Sequence, residues 1–274
     1  MIKGITPVIN PTAEQFNELK RLGVEKLRLI NVEHDEQRRS KLLGYCRDYG
    51  FIPHIIIGQH SMGYTWPPDW DSYKTHIELM IDEVADFDQT VWEVGNEIMH
   101  NGGWINPDSN SWDAETYNRY KTLYWEIAEV FEGKDSTQLG GWASAAHPWL
   151  SSFLQMGTKI KMDFVGIHWY GYGQSISEVV SCISKAKTYN DIPVWLTESG
   201  YNSFWNLYPE LQGSKQARYW YSMLIECAAE WGIDEIYPLK IEGDDYGIWK
   251  NGIELTEQGF AVICGNIGNL DANP

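Results

Sequence analysis

Short apolar runs rich in Val and Ile alternate with amphipathic stretches from one end of the chain to the other. The apolar runs cover residues 4–9, 26–30, 52–57, 91–94, 138–143, 164–168, 194–197 and 235–240. Nearly all are apolar throughout, the pattern of strands buried on both faces of a parallel sheet. Helical periodicity fills the intervals at residues 13–22, 34–49, 73–87, 116–131, 177–189 and 215–231, with a shorter final stretch at 256–264. Thr12, followed by Ala13, Glu14 and Gln15, reads as an N-cap with an acidic first turn. Eight strands, each followed by a helix or by room for one, fit a (β/α)8 barrel within a chain of 274 residues. A doubly wound open sheet is the alternative topology. No linker, internal repeat or low-complexity segment interrupts the pattern, so one catalytic domain over residues 1–274 is expected.

The 43% of hydrophobic residues are enough for a sizeable core. A formal net charge of −17 repels nucleic acid and anionic membrane surfaces, so neither is expected as a partner. The N-terminal residues lack the long apolar stretch of a secretory leader and run straight into a strand, and no transmembrane segment is visible. An intracellular protein and a secreted mature form both fit that reading. Cys46, Cys182, Cys227 and Cys264 form no CxxC pair and read as buried thiols. The 14 Trp, 16 Tyr and 8 Phe are more aromatic surface than a core of this size absorbs, because Trp is rarely buried whole. Exposed aromatic faces suit the C–H faces of sugar rings, and they also suit protein interfaces. The segments 66–70, around Trp66 and Trp70, and the stretch with Trp104 and Trp112 are the candidates to line a groove.

In a barrel, chemistry gathers where strands end. The fourth strand leads into Trp92-Glu93-Val94-Gly95-Asn96-Glu97, the sixth ends in His168-Trp169-Tyr170, and the seventh in Leu196-Thr197-Glu198-Ser199. The second strand carries Arg28, and the third ends at Gly58-Gln59-His60. A lone glutamate at a strand end is usually a surface or capping residue; glycosidic cleavage needs two carboxyl groups in different roles, and Glu97 and Glu198 stand at two strand ends. One must deliver a proton to the leaving oxygen, and the other must face the anomeric carbon. Glu93, inside its strand, reads as a structural partner.

This ordered set resembles the clan of (β/α)8 retaining glycoside hydrolases that includes cellulases, mannanases and β-xylosidases. The resemblance implies that Glu97 is the acid/base and Glu198 the nucleophile. It further implies that Arg28 steadies the nucleophile, His60 and Asn96 contact the sugar, and His168 and Tyr170 form the strand-six pair. For Arg28 a purely structural ion pair, and for His60 a satisfied buried histidine, stay open beside those roles. Arg28 and a Tyr170 hydroxyl would keep Glu198 a carboxylate, while repulsion and burial would keep Glu97 protonated.

Members of the clan commonly carry a Trp at the end of strand eight, where this chain reads Ile236-Tyr237-Pro238-Leu239-Lys240-Ile241. Trp205 or Trp249 would then supply the sugar platform. Lys240 is expected near the reacting ring, either neutralised by Glu242 or Asp244 or contacting the substrate.

No HExxH or HxH spacing, dinucleotide loop or GxSxG elbow occurs, so neither metal nor cofactor is expected. The expected activity is that of a monomeric, endo-acting retaining β-glycosidase on β-linked polysaccharide or oligosaccharide. An exo-β-glycosidase and a non-catalytic carbohydrate-binding barrel are the alternatives, and a structural barrel would not need the strand-end set.

Overall fold

The computed structural model describes residues 4–6, 12–21, 23–58, 66–96, 114–143, 150–169, 176–199, 224, 228, 230–238, 240–242, 247–250 and 254–255. Eight strands form one sheet in chain order: β1 (Gly4–Ile5), β2 (Lys26–Leu29), β3 (Ile52–Ile57), β4 (Thr90–Val94), β5 (Thr137–Trp142), β6 (Phe164–Trp169), β7 (Val194–Ser199) and β8 (Ile233–Pro238). Every neighbouring pair within this order is parallel. The Thr6 N–H donates to the Pro238 carbonyl at 3.3 Å, bringing the first and last strands together in a nearly closed barrel. Between the strands run α1 (Ala13–Arg21), α2 (Glu36–Tyr49), α3 (Trp70–Asp82), α4 (Ala114–Val130), α5 (Leu150–Leu154), which continues into a 3₁₀ turn at Gln155–Thr158, and α6 (Ile176–Thr188). The fold is the (β/α)8 barrel expected from the apolar pattern.

The departures from the expected boundaries have local causes. Helix α3 starts three residues earlier than its periodicity suggests, because the Asp69 side chain accepts from the Ser72 N–H and caps it. Helix α5 is only five residues long, too short for a helical period to show. Strand β8 ends at Pro238, whose missing N–H cannot extend the ladder. Lys240 therefore does not continue the barrel strand. It opens β9 (Lys240–Glu242), which pairs with β10 (Gly247–Lys250) in a separate three-stranded sheet completed by β11 (Glu254–Leu255). Residues 7–9 of the first expected strand, residue 22, most of the 215–231 helix and all of 256–264 lie outside the described residues, though Leu224, Ala228 and Glu230 are helical.

Two apolar cores follow from the two faces of the barrel wall. The large one lies between strands and helices and takes Ile55 and Ile57 of β3, Trp92 and Val94 of β4, and Val165 and Ile167 of β6. The small one fills the barrel interior with Val91, Phe164, Trp195 and Tyr237, and Ile52 packs against it. Uniformly apolar strands are thus explained: side chains alternate between two different cores rather than between core and water. Gly4 sits directly against the Tyr237 ring, which a Cβ there would meet at 2.0 Å. Cys46 and Cys182 are free and buried, and burial pushes the Cys182 thiol up to about 12. Cys227 and Cys264 lie outside the described residues. Among the described residues, no helix is long and apolar enough to cross a membrane.

Candidate active site

Lys26 and Arg28 are two residues apart on β2, so both point into the barrel. The fully buried Arg28 guanidinium divides its donors between two residues of the β4 end and one at the end of β7. Its Nε donates to Glu93 Oε2 at 2.7 Å, its Nη1 to Glu198 Oε1 at 2.6 Å, and its Nη2 to Asn96 Oδ1 at 2.8 Å. His168 completes the group, with Nε2 3.4 Å from Arg28 Nη2 and Nδ1 3.5 Å from Glu198 Oε2. Burial opposes the charge on Arg28, yet the Glu93 and Glu198 carboxylates overcome it and hold the guanidinium above its ordinary pKa. Burial would also raise the Glu93 pKa, but the Arg28 charge wins and keeps that carboxyl well below the usual range.

Glu93 is the hub behind this group. Its Oε1 accepts from the Thr197 hydroxyl at 2.9 Å, and its Oε2 lies 3.2 Å from His54 Nε2. Thr197 and Glu198 are consecutive, and an ordinary strand would turn one of them outward. The β6–β7 register runs Val165↔Val194, Gly166↔Trp195, Ile167↔Leu196, and then His168↔Glu198. Thr197 is the extra residue of a bulge, and the bulge lets both neighbours reach the interior. Gly166 makes the room: a Cβ there would lie 2.4 Å from Glu93 Oε1 and 2.8 Å from Thr197 Oγ1.

Below the charged group lies an aromatic floor. Phe164 and Trp195 stack with centroids 3.8 Å apart, and the His54 ring stands edge-on to Phe164, Trp195 and Tyr237. Burial holds His54 down at about 4 despite the Glu93 carboxylate, so the ring is neutral. Trp142 stands edge-on to His168 at 5.8 Å. Its carbonyl and that of Val94 both accept from the Tyr120 hydroxyl, at 2.7 and 2.8 Å, tying the ends of β4 and β5 to α4.

Of the residues singled out from sequence, Arg28, Asn96, His168 and Glu198 come together in this one group. His60, Glu97, Tyr170 and Trp205 lie outside the described residues, as do Trp104 and Trp112. Lys240 and Trp249 are placed only by their backbones, in β9 and β10. The strand-eight position expected for Lys240 is therefore corrected, since Pro238 ends β8 before it. The sequence reading missed His54 and Thr197. The in-register pairing of Arg28 with His54 is the signal for the histidine, and it requires the strands to be aligned layer by layer, whereas Thr197 depends on a slip in the β6–β7 register. The 66–70 segment does line a groove: Trp66, Pro67 and Trp70 face Glu115, Asn118 and Arg119 across about 540 Å³. Among the described residues, no group of three His, Cys, Asp or Glu is placed to hold a metal ion.

Comparison with known proteins bears on the fold. Residues 112–230 match the family model described as "Glycosyl hydrolase catalytic core", a stretch that contains His168 and Glu198 but not Arg28, Glu93 or Asn96. The curated Alkali-sensitive linkage protein 1 of Schizosaccharomyces pombe is 27% identical over 167 residues, covering 56% of this chain and 31% of that protein. The chain thus spans about a third of that relative's length. A GH5_18 structure from Streptomyces cattleya in complex with GlcNAc superposes with a TM-score of 0.67 at 13% identity, covering 100% of this chain and 82% of that one. The intracellular xylanase of Thermoanaerobacterium saccharolyticum, in complex with xylotetraose, superposes with a TM-score of 0.66 at 10% identity and 95% coverage of both chains. In its fold, and in the family model that residues 112–230 match, this chain resembles the (β/α)8 glycoside hydrolases.

Proposed function

We propose that the chain is a retaining β-glycoside hydrolase acting on β-linked polysaccharide or oligosaccharide, with Glu198 as nucleophile and Glu97 as general acid/base. The observation that carries this reading is the Arg28 guanidinium, which holds Glu198 from the end of β7 and Asn96 from the end of β4 at once. The residue after Asn96 in the sequence is Glu97, so the two carboxylates of the mechanism belong to strand ends that meet on one cation. The catalytic-core family match and the sugar-complexed structural relatives support the same reaction class.

In the first step the Glu198 carboxylate attacks the anomeric carbon while Glu97 gives its proton to the leaving oxygen, and a glycosyl-enzyme ester forms. In the second, water attacks the same carbon, Glu97 takes the water's proton, and Glu198 leaves as a carboxylate. Arg28 holds one oxygen of Glu198 and so fixes which oxygen attacks. With its Oδ1 occupied by Arg28, the Asn96 amide keeps its N–H groups for a sugar hydroxyl. Cleavage within chains is the favoured action; release of single terminal sugars is the variant that product analysis separates.

The test is hydrolysis of a panel of β-glucans, xylans and mannans, with the anomer of the first product followed by proton NMR. Retention of the β configuration is expected, and an inverted first product sinks the nucleophile assignment. Glu198→Ala is expected to lose at least about a thousandfold in turnover. Azide should restore it as an α-glycosyl azide, whereas Glu97→Ala with azide should give the β-azide. Sugar binding without hydrolysis of any substrate overturns the catalytic reading in favour of a binding barrel.

A further inference from the structure

The outer face of α4 carries features that neither barrel packing nor the proposed chemistry uses. Trp125 is 37% exposed, one of three large hydrophobic residues so exposed among the described residues. Its indole N–H donates to Glu129 Oε1 at 3.1 Å, which fixes the ring on the helix surface. Glu129 and Glu126 are in turn both held by Lys74 of α3, at 2.7 and 2.6 Å. Beside Trp125 a cavity of about 420 Å³ opens between α4 and the α5–3₁₀ segment, within the usual size range of small-ligand sites. Its lining combines Trp125 and Met156 with the side-chain amides of Asn118 and Gln155 and the ammonium groups of Lys121 and Lys159.

A flat, fixed aromatic ring flanked by amides and hydroxyls suits a sugar ring, which offers an apolar C–H face and equatorial hydroxyls. The local charge also departs from the rest of the molecule. Against a formal net charge of −17, this cavity presents two lysines and one glutamate, which shares Lys74 with Glu129. A polyanion such as nucleic acid is still repelled at long range, whereas a glycan is not. The cavity also has a neighbour. Asn118 and Thr122 line both it and the Trp66–Trp70 groove, which opens at the mouth end of the barrel where α3 and α4 begin. The two depressions make one track across α4, running from the barrel rim to Trp125.

We propose that this track is a second glycan-binding surface, on which Trp125 stacks a ring of a β-linked polysaccharide while Asn118 and Gln155 hydrogen-bond its hydroxyls. The proposal rests on the β-glycan reading of the central site and adds to it a means of holding long chains. Its consequence is a preference for polymer over short oligosaccharide that resides outside the catalytic group.

The experiment is affinity electrophoresis of the Glu198→Ala protein through gels containing laminarin, xylan, glucomannan or hydroxyethyl cellulose, with Trp125→Ala and Trp125→Phe introduced into the same background. Retardation in at least one gel is expected. Trp125→Ala should weaken it about five- to tenfold, and Trp125→Phe, which keeps a flat ring, should retain most of it. In the otherwise native enzyme, Trp125→Ala should lower hydrolysis of dilute polymer by a similar factor and leave a short oligosaccharide substrate unchanged. No retardation in any gel, or equal retardation with and without the Trp125 ring, overturns the proposal. Trp125-dependent retardation, when the native enzyme with Glu198 intact hydrolyses none of these polymers, supports this surface and overturns the catalytic reading instead.

Discussion

Lys26 and Arg28 enter the same barrel from the same strand, two residues apart, and do opposite things. Lys26 closes the lower end as half of a one-to-one pair. Its Nζ meets Glu235 Oε1 at 2.5 Å and lies 4.3 Å above the Trp195 ring, and the Tyr237 hydroxyl donates to the other Glu235 oxygen. Charge there is matched, hydrogen-bonded and covered by aromatics, which is the condition under which a buried pair is tolerable. Arg28, at the upper end, has two carboxylates and an amide on one guanidinium. That layer carries one negative charge more than its cation balances. The excess falls at the strand ends, where the proposed substrate would enter. The lower pair ties β2 to β8, and the upper group holds the carboxylate that the proposed mechanism uses.

The sharpest way to break this comparison is to keep charge and remove shape. Arg28→Lys retains one positive group but cannot serve Glu93, Glu198 and Asn96 together, because an ammonium lacks the planar fork. We expect kcat/KM to fall about a hundredfold, or about 2.7 kcal/mol of transition-state stabilisation. A fall of less than about threefold would mean that the three-way grip is irrelevant to turnover.

The complementary change is Lys26→Met. It strands Glu235 in the lower layer and should lower unfolding stability by about 3 kcal/mol. The specific activity of the folded fraction should stay the same. Denaturant unfolding followed beside steady-state kinetics checks this, and loss of activity without loss of stability would erase the distinction between the two ends.

The smallest expected effect is on pH dependence. His54 has a folded pKa of about 4 against an ordinary 6.5, so the unfolded chain takes up its proton first as the pH falls. Its contribution is complete above pH 6.5 and is lost on the way down to about 4. Glu93, also depressed when folded, acts with the same sign below its ordinary value of 4.5. His34, likewise at about 4, contributes to the same slope. His54→Asn should flatten the loss of stability between pH 6.5 and 4 while leaving the steeper part below 4.5. An unchanged slope would show that His54 does not titrate on unfolding.

The two ends of the barrel were not equally legible from sequence. Strand positions follow from runs such as 52–57, because burial on both faces leaves little room for polar residues. The upper group was half visible: Arg28, Asn96, His168 and Glu198 stand at strand ends, where a barrel exposes its chemistry, and the structure brings them together. His54 was not visible, since its meaning comes from being level with Arg28 across the sheet rather than from any neighbour in sequence. The lower pair was hidden for the same reason, as Lys26 and Glu235 are 209 residues apart and carry no motif. Lys240 was misplaced because an apolar run was continued past Pro238, where the ladder loses its donor. The role of Thr197 depends on a one-residue slip in register, which no pattern of residue types encodes.

That slip has a practical meaning for anyone who would transplant this site. Copying the letters Thr-Glu-Ser onto the end of a regular strand would reproduce the composition and point one of the two side chains at the helices. What must be carried over is a count: one residue more on β7 than on its neighbour β6, opposite a Gly166 small enough to receive it. Deleting a single residue before Glu198 would then do more harm than many substitutions within the strand, because it shifts the phase of everything that follows.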